Sequence, residues 1–192
     1  MMISAWIQKR KARKAAAAGL YQSIVTQSRN PVFFTQMGVS DTMDGRFDVL
    51  TLHAALVLTR LRALGADGAK LSQAVFDQLL LSLEEALREV GIGDVGVPKH
   101  MRKMVKAFNG RVHAYGSALA QGDGALAVAL ARNVYRAGDS GAAPHEAEAL
   151  AAYAAAMHAA LGRQGLEEFG QGRIAFPCAE NFVEEVRHAK AV

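Results

Sequence analysis

Apolar residues recur at helical spacing along most of the 192-residue chain. The most apolar segment runs from Asp44 to Leu64, where leucine, valine and alanine fill one face and much of the opposite face. A helix that is apolar on most sides is buried on most sides, so this segment is predicted to be a central helix. Asp41 or Asp44 is expected to cap its start, because a short side-chain oxygen accepts hydrogen bonds from the free amides of a first turn.

Helical spacing also predicts elements before and after the central helix, and strand signals are absent from the sequence. Asn30 and Pro31 end a first helix. Pro98 opens a later one, because the amide hydrogen that proline lacks has no hydrogen-bond partner in the first turn of a helix. The remaining predicted helices cover Leu71 to Val90, Leu126 to Tyr135 and Pro144 to Leu161. The expected fold is an all-α, single-domain bundle of six or seven helices around the helix at about 44–64.

Three regions are expected along the chain. Residues 1–28 form a basic N-terminal arm or helix, residues 29–161 form the helical domain, and residues 162–192 form a less regular tail. Glycines and Pro177 interrupt the tail, so an irregular piece is expected near Ile174 to Phe176, followed by a short helix from Glu180 to Lys190.

Composition narrows the class of protein. Cys178 is the only cysteine, which excludes an intrachain disulfide and a multi-cysteine metal site. No apolar run reaches the roughly 18 residues that a membrane span needs. The formal net charge of +4 suggests an anionic partner, so the position of the cations matters.

The cations form two groups. The first lies beside Trp6 in a stretch without any acidic residue and comprises Lys9, Arg10, Lys11, Arg13 and Lys14. The second follows Pro98 on one predicted helix face and comprises Lys99, Arg102, Lys103, Lys106 and Arg111. Either group is a solvated helix surface or a site for an anionic membrane, RNA or an acidic protein. The first also has the composition of an organellar transit peptide, whereas a secretory signal is not expected.

The segment from Gly91 to Gly96 contains Gly91, Gly93, Asp94 and Gly96 in a literal G-x-G-x-x-G pattern. In nucleotide-binding proteins this pattern follows a strand, because backbone amides at a strand-to-helix turn approach the pyrophosphate. Here a long amphipathic helix precedes it, so an interhelical turn is predicted and a nucleotide site is not.

Candidate metal and catalytic residues are scattered. The six histidines, His53, His100, His113, His145, His158 and His188, include no pair at helical spacing. Glu185 and His188 are a single Glu-x-x-His pair, whereas a helical di-metal site needs two. His53 is predicted to be an interior histidine. We expect no catalytic residue, no metal and no cofactor. Met37, Met101 and Met104 are either core residues or the lining of an adaptable groove.

Two strings carry a resemblance to a known family. Residues 41–47 read D-T-M-D-G-R-F and follow an F-F-T-Q-M-G-V-S segment, and residues 91–97 read G-I-G-D-V-G-V. In their order and spacing these strings resemble the ubiquinol-cytochrome c chaperone family, over about Tyr21 to Tyr135. The motif positions are Asp41, Asp44, Gly45, Arg46, Phe47, Gly91, Gly93, Asp94 and Gly96.

The resemblance implies a non-enzymatic, helical chaperone. Such a protein binds newly synthesised cytochrome b and promotes assembly of ubiquinol-cytochrome c reductase, in some members with a small partner protein and near the ribosome exit. It implies a location on the cytoplasmic side of a bacterial inner membrane, or on the matrix side in a mitochondrion. The cations after Pro98 are then expected to meet lipid headgroups, ribosomal RNA or client loops, while Asp41, Asp44 and Arg46 organise a helix start.

Two other classes remain open. A basic helical module that binds RNA or lipid without chaperone activity also explains the two cationic groups. A helical lyase or carboxylate metalloprotein would rely on Glu146, Glu148, Glu185 and the histidines.

Overall fold

The computed structural model describes residues 2–122, 124–137 and 145–183, and all regular structure in these ranges is helical. The helices are α1 (Met2–Ser28), α2 (Val32–Thr35), α3 (Met43–Ala63), α4 (Gly65–Glu89), α5 (Val97–Gln121), α6 (Ala125–Asn133), α7 (His145–Gly162) and α8 (Leu166–Gly170), and a 3₁₀ helix follows at Ala179–Phe182. Six of them have nine or more residues. The predicted all-α bundle is confirmed. None of these helices is both long and apolar enough to cross a bilayer.

Helix α3 is the centre of the bundle, as its sequence predicts. It contacts α1, α4, α5 and α7, and its residues from Thr51 to Leu58 are all buried. Leu52, Val57 and Leu61 have no exposed surface. Even the polar Ser72 of α4 is satisfied against this helix, because its hydroxyl donates to the Leu58 carbonyl at 3.2 Å. The helix begins and ends one residue before the predicted positions.

Thr42 caps α3, so the expectation that Asp41 or Asp44 does so is wrong. Thr42 has the extended backbone that an N-cap needs, and its hydroxyl accepts a hydrogen bond from the Gly45 amide at 3.2 Å. Asp41 instead lies 2.6 Å from Arg46 in an exposed ion pair. A cap is therefore chosen by backbone geometry here, and not by the strongest acceptor in the sequence.

The same turn explains the glycine of the D-T-M-D-G-R-F string. Gly45 is buried, and a Cβ atom at this position would collide with the backbone carbonyl oxygen of Ser40. Only glycine allows so close an approach of the incoming loop to the helix. The structure therefore gives Gly45 a structural reason for its place in the motif.

Helices α1 and α4 run side by side in the same direction. Near their starts the ammonium of Lys9 lies 3.3 Å from the carboxylate of Asp67, and near their ends Val25 and Leu87 line one groove. Leu20 and Ile24 are fully buried, so the second half of α1 belongs to the core. Only the first half has the exposed surface expected of a basic arm.

Helix α7 packs beside α3 through a buried aromatic cluster around His53. Its ring lies 5.3 Å from Phe33, 5.6 Å from Tyr153 and 5.8 Å from Phe176 between centroids. The Nδ1–H group donates to the Val49 carbonyl at 2.8 Å, so Nε2 accepts from the Tyr153 hydroxyl at 2.8 Å. Burial lowers the pKa of His53 to about 4. The prediction of an interior histidine is confirmed.

The tail after α7 is irregular between its short helices. Ile174 to Phe176 have no regular structure, as predicted, and they pack partly on the core. The predicted helix from Glu180 to Lys190 begins within the 3₁₀ helix, and the rest of it lies outside the described residues. Pro144, the predicted start of α7, also lies outside them.

Candidate functional site

Four cations form an exposed surface on the first half of α5. Lys99, Arg102, Lys103 and Lys106, hereafter the α5 cationic surface, are all exposed, and none forms an ion pair with a carboxylate of the described residues. They lie near the helix N-terminus, whose amides already carry partial positive charge, and the first turn has no acidic residue. The arrangement is electrostatically unfavourable in the isolated protein, so an anionic group would stabilise it.

Arg111 does not belong to this surface, although it was expected on the same face. It follows Lys106 by five residues, which rotates it by about 140° around the helix axis. Its guanidinium lies 2.5 Å from the carboxylate of Asp48 and 5.5 Å from the ring centre of Phe47. The Arg111 side chain is 14% exposed and that of Asp48 is fully buried. Arg111 is therefore a core residue in an ion pair.

The Asp48 carboxylate has a second cationic neighbour. Arg136 Nη1 lies 3.1 Å from its second oxygen, and Arg136 has a positive φ of 52°. Burial raises the pKa of Asp48, and the guanidiniums of Arg111 and Arg136 oppose that rise. The cluster ties α3, α5 and the segment after α6 together, so its role is structural.

The glycine-rich segment is the turn between α4 and α5, as predicted. Gly91 has a φ of 85°, a backbone conformation that residues with a side chain rarely adopt. At Gly93, by contrast, an added Cβ atom would meet no atom within 4 Å. The Asp94 side chain is 91% exposed and reaches Arg88 at 3.5 Å. At the tip Val95 is 97% exposed, an unusual position for an aliphatic side chain.

An apolar groove opens at the same end of the bundle as the α5 cationic surface. It has a volume of about 270 Å³ and lies between the end of α1, the start of α3, the end of α4 and Met104 of α5. Its apolar lining consists of Tyr21, Val25, Met43, Phe47, Leu50, Leu83, Ala86, Leu87 and Met104. An exposed apolar concavity of this kind is typical of a binding site for an apolar ligand or segment.

Of the three methionines singled out in the sequence, Met104 alone lines this groove. Met37 is fully buried, and its carbonyl accepts a hydrogen bond from the Tyr135 hydroxyl at 2.7 Å. Met101 is half-buried outside the lining. The methionine that sequence reasoning missed is Met43, which is 64% exposed at the groove. Its place in the D-T-M-D-G-R-F string was the available signal.

Two arginines border the groove. Arg46 holds the ion pair with Asp41, which lowers the pKa of that carboxyl group. Arg29 is exposed and has no ion pair with a described carboxylate. Both also line a smaller hollow of about 170 Å³ beside Phe34 and Pro31, so the two depressions are neighbours that share these arginines. The motif residues Asp41, Arg46 and Phe47 thus meet at this surface, while Asp44 points to Arg136 at 3.6 Å.

The N-terminal cations lie at the opposite end of the bundle. Lys9 is level with Asp67 near the start of α4, whereas the α5 cationic surface is beside the end of α4. Sixteen residues of helix separate Asp67 from Leu83 in the groove, or roughly 25 Å along the axis. The two cationic groups of the sequence are therefore separate surfaces.

Candidate catalytic and metal-binding residues are not brought together. Within the described ranges no three His, Cys, Asp or Glu side chains could hold one metal ion. His145 pairs with Glu148 at 3.1 Å, whereas Glu185 and His188 lie outside the described residues. The thiol of Cys178 lies 2.8 Å from Glu180, and this hydrogen bond raises its pKa, which disfavours the reactive thiolate.

Comparison with known proteins gives several relatives. The chain is 27% identical over 121 residues to ubiquinol-cytochrome-c reductase complex assembly factor 1 of Xenopus laevis, covering 63% of this chain and 60% of that protein. It is 25% identical over 122 residues to the assembly factor of the same name in Mus musculus, covering 64% of this chain and 41% of that one. The match therefore spans less than two thirds of either relative.

A solved structure and a family model extend the comparison. The crystal structure of the Cbp3 homolog from Brucella abortus superimposes with a TM-score of 0.82 at 36% identity, covering 94% of this chain and 98% of that one. The model of the ubiquinol-cytochrome C chaperone family matches residues 35–176, which include the groove residue Met43 and the whole α5 cationic surface. The chain therefore belongs to the ubiquinol-cytochrome c chaperone family.

Proposed function

We propose that this protein is an assembly chaperone that binds newly synthesised cytochrome b and promotes assembly of ubiquinol-cytochrome c reductase. The observation that carries the proposal is the family match over residues 35–176, because this range supplies most of the groove and all of the α5 cationic surface. The relatives from Xenopus laevis and Mus musculus are named as assembly factors of the reductase complex. A binding role without catalysis is part of the proposal.

The apolar groove is proposed to hold an apolar segment of the client. A multi-span protein whose haem sites are unfilled exposes apolar surface before assembly, and a binder that covers this surface suppresses aggregation. Met43 and Met104 suit this task, since the unbranched thioether side chain repacks easily around different partners. A groove of about 270 Å³ accommodates a few side chains, so the client can leave when cofactors or subunits arrive.

The α5 cationic surface is proposed to attract acidic groups in the loops of the client. Its four cations lack ion pairs with described carboxylates and lie at the same end of the bundle as the groove, on another face of α5 than Met104. Charged groups near an apolar site raise the rate of association and fix orientation. The groove and the surface would then act on one polypeptide, with apolar contacts in the groove and charge contacts beside it.

Affinity capture from membranes during active protein synthesis tests the client. The wild-type chain should enrich newly made cytochrome b, as measured by identification of the captured polypeptides. Met43→Glu places a charge in the groove and should reduce this capture at least about tenfold, since a carboxylate is poorly tolerated against apolar surface. Leu81→Glu is the matched control, because Leu81 is also more than half exposed but does not line the groove. Equal capture by both variants would exclude the groove as the client site.

Replacing Lys99, Arg102, Lys103 and Lys106 together by glutamate tests the charged surface. Capture of cytochrome b should fall strongly and the helical circular dichroism should be unchanged, because all four side chains are exposed. Unchanged capture at low salt would remove this surface from the proposal.

A second candidate function rests on the same four cations, which pair with no described carboxylate. A basic helical module that binds RNA or lipid without chaperone activity would retain RNA or lipid in a salt-sensitive manner and leave cytochrome b behind. We further propose contact with a small partner protein and with the ribosome exit region. The proposed location is the cytoplasmic face of a bacterial inner membrane, or the matrix face of the inner membrane in a mitochondrion. The same capture experiment addresses these proposals.

A further inference from the structure

One face of α1 is buried in the second half of the helix. In its first turns the same face extends beyond the bundle. Steps of three or four residues back from the fully buried Ile24 and Leu20 pass Ala17, Arg13 and Arg10 and reach Trp6. Residues at this spacing lie on one side of a helix. The exposed fraction of the residue increases along this line, from 0% at Leu20 to 62% at Trp6. The side that packs on the core is therefore open near the start of α1.

The neighbouring helices end before this segment does. Lys9 is level with Asp67 in the first turn of α4, so residues 2–8 extend about 10 Å past the level of Asp67 and roughly 7 Å past the start of that helix. Beside Lys9 and Arg13 the residues Leu166 and Gly170 of α8 line an open groove of about 230 Å³. Trp6 and Ile7 remain more than half exposed.

The charge of this segment has one sign. No acidic residue occurs in residues 1–40, and Lys11, Arg13 and Lys14 have no ion pair with any described carboxylate. The Arg10 guanidinium lies 5.7 Å from the centre of the Trp6 ring. Of these cations, only Lys9 forms an ion pair with a described carboxylate, that of Asp67. An exposed aromatic and an exposed aliphatic side chain thus lie on the same short helical segment as four cations that no described carboxylate neutralises.

We propose that residues 6–14 of α1 are a docking surface for an anionic lipid bilayer. Trp6 and Ile7 enter the headgroup layer, where tryptophan is favoured, and Arg10, Lys11, Arg13 and Lys14 contact lipid phosphates. Ile7 favours lipid over RNA, because an aliphatic side chain gains from an apolar layer but cannot stack on bases. At the α5 cationic surface, by contrast, Glu84, Glu85, Glu89 and Asp94 lie on the adjoining end of α4 and its turn.

Trp6 is the only tryptophan of the chain, so its fluorescence reports on this surface alone. Adding vesicles of phosphatidylglycerol and phosphatidylcholine in equal parts to the full chain should shift its emission to shorter wavelength, and brominated lipid should quench it. Vesicles of phosphatidylcholine alone should do neither. An unshifted emission with the anionic vesicles at low salt would overturn the proposal, as would quenching by RNA without any response to vesicles.

Two charge-matched variants assign the binding to α1. The triple variants Lys11→Glu/Arg13→Glu/Lys14→Glu and Arg102→Glu/Lys103→Glu/Lys106→Glu each lower the net charge by six, from +4 to −2. Because a cation near an anionic surface is worth about fivefold in partitioning, the α1 variant should bind the anionic vesicles about a hundredfold more weakly. The α5 variant should retain its partition coefficient within about threefold. An equal loss in both variants would show a net-charge effect and overturn the assignment to α1.

Discussion

The two halves of α5 contain cations in opposite situations. In the first half Lys99, Arg102, Lys103 and Lys106 are exposed and lack ion pairs with described carboxylates. In the second half Arg111 is 14% exposed and pairs with the fully buried Asp48 at 2.5 Å. One helix thus holds cations in two situations, exposed to solvent in its first half and opposite a buried carboxylate in its second half.

This difference shows that a cation in a sequence has no assigned role until its surroundings are known. An exposed lysine contributes little to stability, because water already solvates it, whereas a buried arginine determines whether the carboxylate opposite can be tolerated. Removal of charge should therefore affect binding in the first half and folding in the second.

The largest effect is expected from Arg111→Ala. The substitution leaves the Asp48 carboxylate buried with only the half-exposed Arg136 for compensation, so the free energy of unfolding should fall by about 3–5 kcal/mol. Urea denaturation followed by circular dichroism measures it.

Lys106→Ala on the same helix is the control, and it should change the unfolding free energy by less than about 0.5 kcal/mol. Equal losses in the two variants would abolish the distinction between the halves. The double variant Asp48→Asn/Arg111→Ala should be more stable than Arg111→Ala, since it removes the uncompensated charge.

The next effect is a loss of stability in acid that comes from His53. Its pKa is about 4 in the folded protein against 6.5 when exposed, so the unfolded chain takes up the proton more readily between these values. This contribution is fully present above pH 6.5 and is lost as the pH falls towards 4. This pKa difference corresponds to about 3 kcal/mol of stability.

Urea denaturation of wild type, His53→Leu and His113→Gln between pH 7 and pH 4 measures this effect. His113 is an exposed histidine in the second half of α5, so its variant should keep the pH dependence of the wild type. His53→Leu should lose most of the difference, whatever its stability at neutral pH. An unchanged slope in His53→Leu would place the acid sensitivity elsewhere.

The smallest effect is expected at the boundary between the halves of α5. Gly110 is exposed within the helix, and a Cβ atom there would meet nothing within 4 Å. Gly110→Ala should raise the unfolding free energy by about 0.5–1 kcal/mol, because alanine loses less backbone entropy in a helix. Thermal unfolding measures it, and Gly45→Ala should lower stability, because its Cβ would collide with the Ser40 carbonyl. A destabilised Gly110→Ala variant would indicate an unseen packing role for Gly110.

Much of the fold was predictable because helical periodicity is local. The central helix was predicted for Asp44 to Leu64 and is observed at Met43–Ala63. Apolar residues on most of its faces indicate its buried position. The turn at Gly91 to Gly96 was predictable as well, since glycines follow a long amphipathic pattern. The cap at Thr42 was not, because Ser40, Asp41, Thr42 and Asp44 all offer an acceptor oxygen and the backbone conformation selects one of them.

The candidate site was only partly predictable, because it depends on which helices meet. The cations from Lys99 to Lys106 are visible as a cluster, but the inward direction of Arg111 depends on Asp48, 63 residues earlier. Likewise Met37 and Met43 differ by six positions in sequence, yet one is fully buried and the other is 64% exposed at the groove. Only the packing of α1, α3, α4 and α5 makes that distinction.

The sequence by itself determined the helical class, the central helix, the separation of the cations into two groups and the motifs that resemble the family. Each of these depends only on residues that are close together in the sequence. Tertiary structure decided that the two cationic groups lie roughly 25 Å apart along α4, that an apolar groove lies at the same end of the bundle as one of them, and that Trp6 of the other projects past the bundle. The reason is physical: periodicity fixes which residues share a helix face, but only the partners packed against that face decide whether it is buried, paired or free to bind.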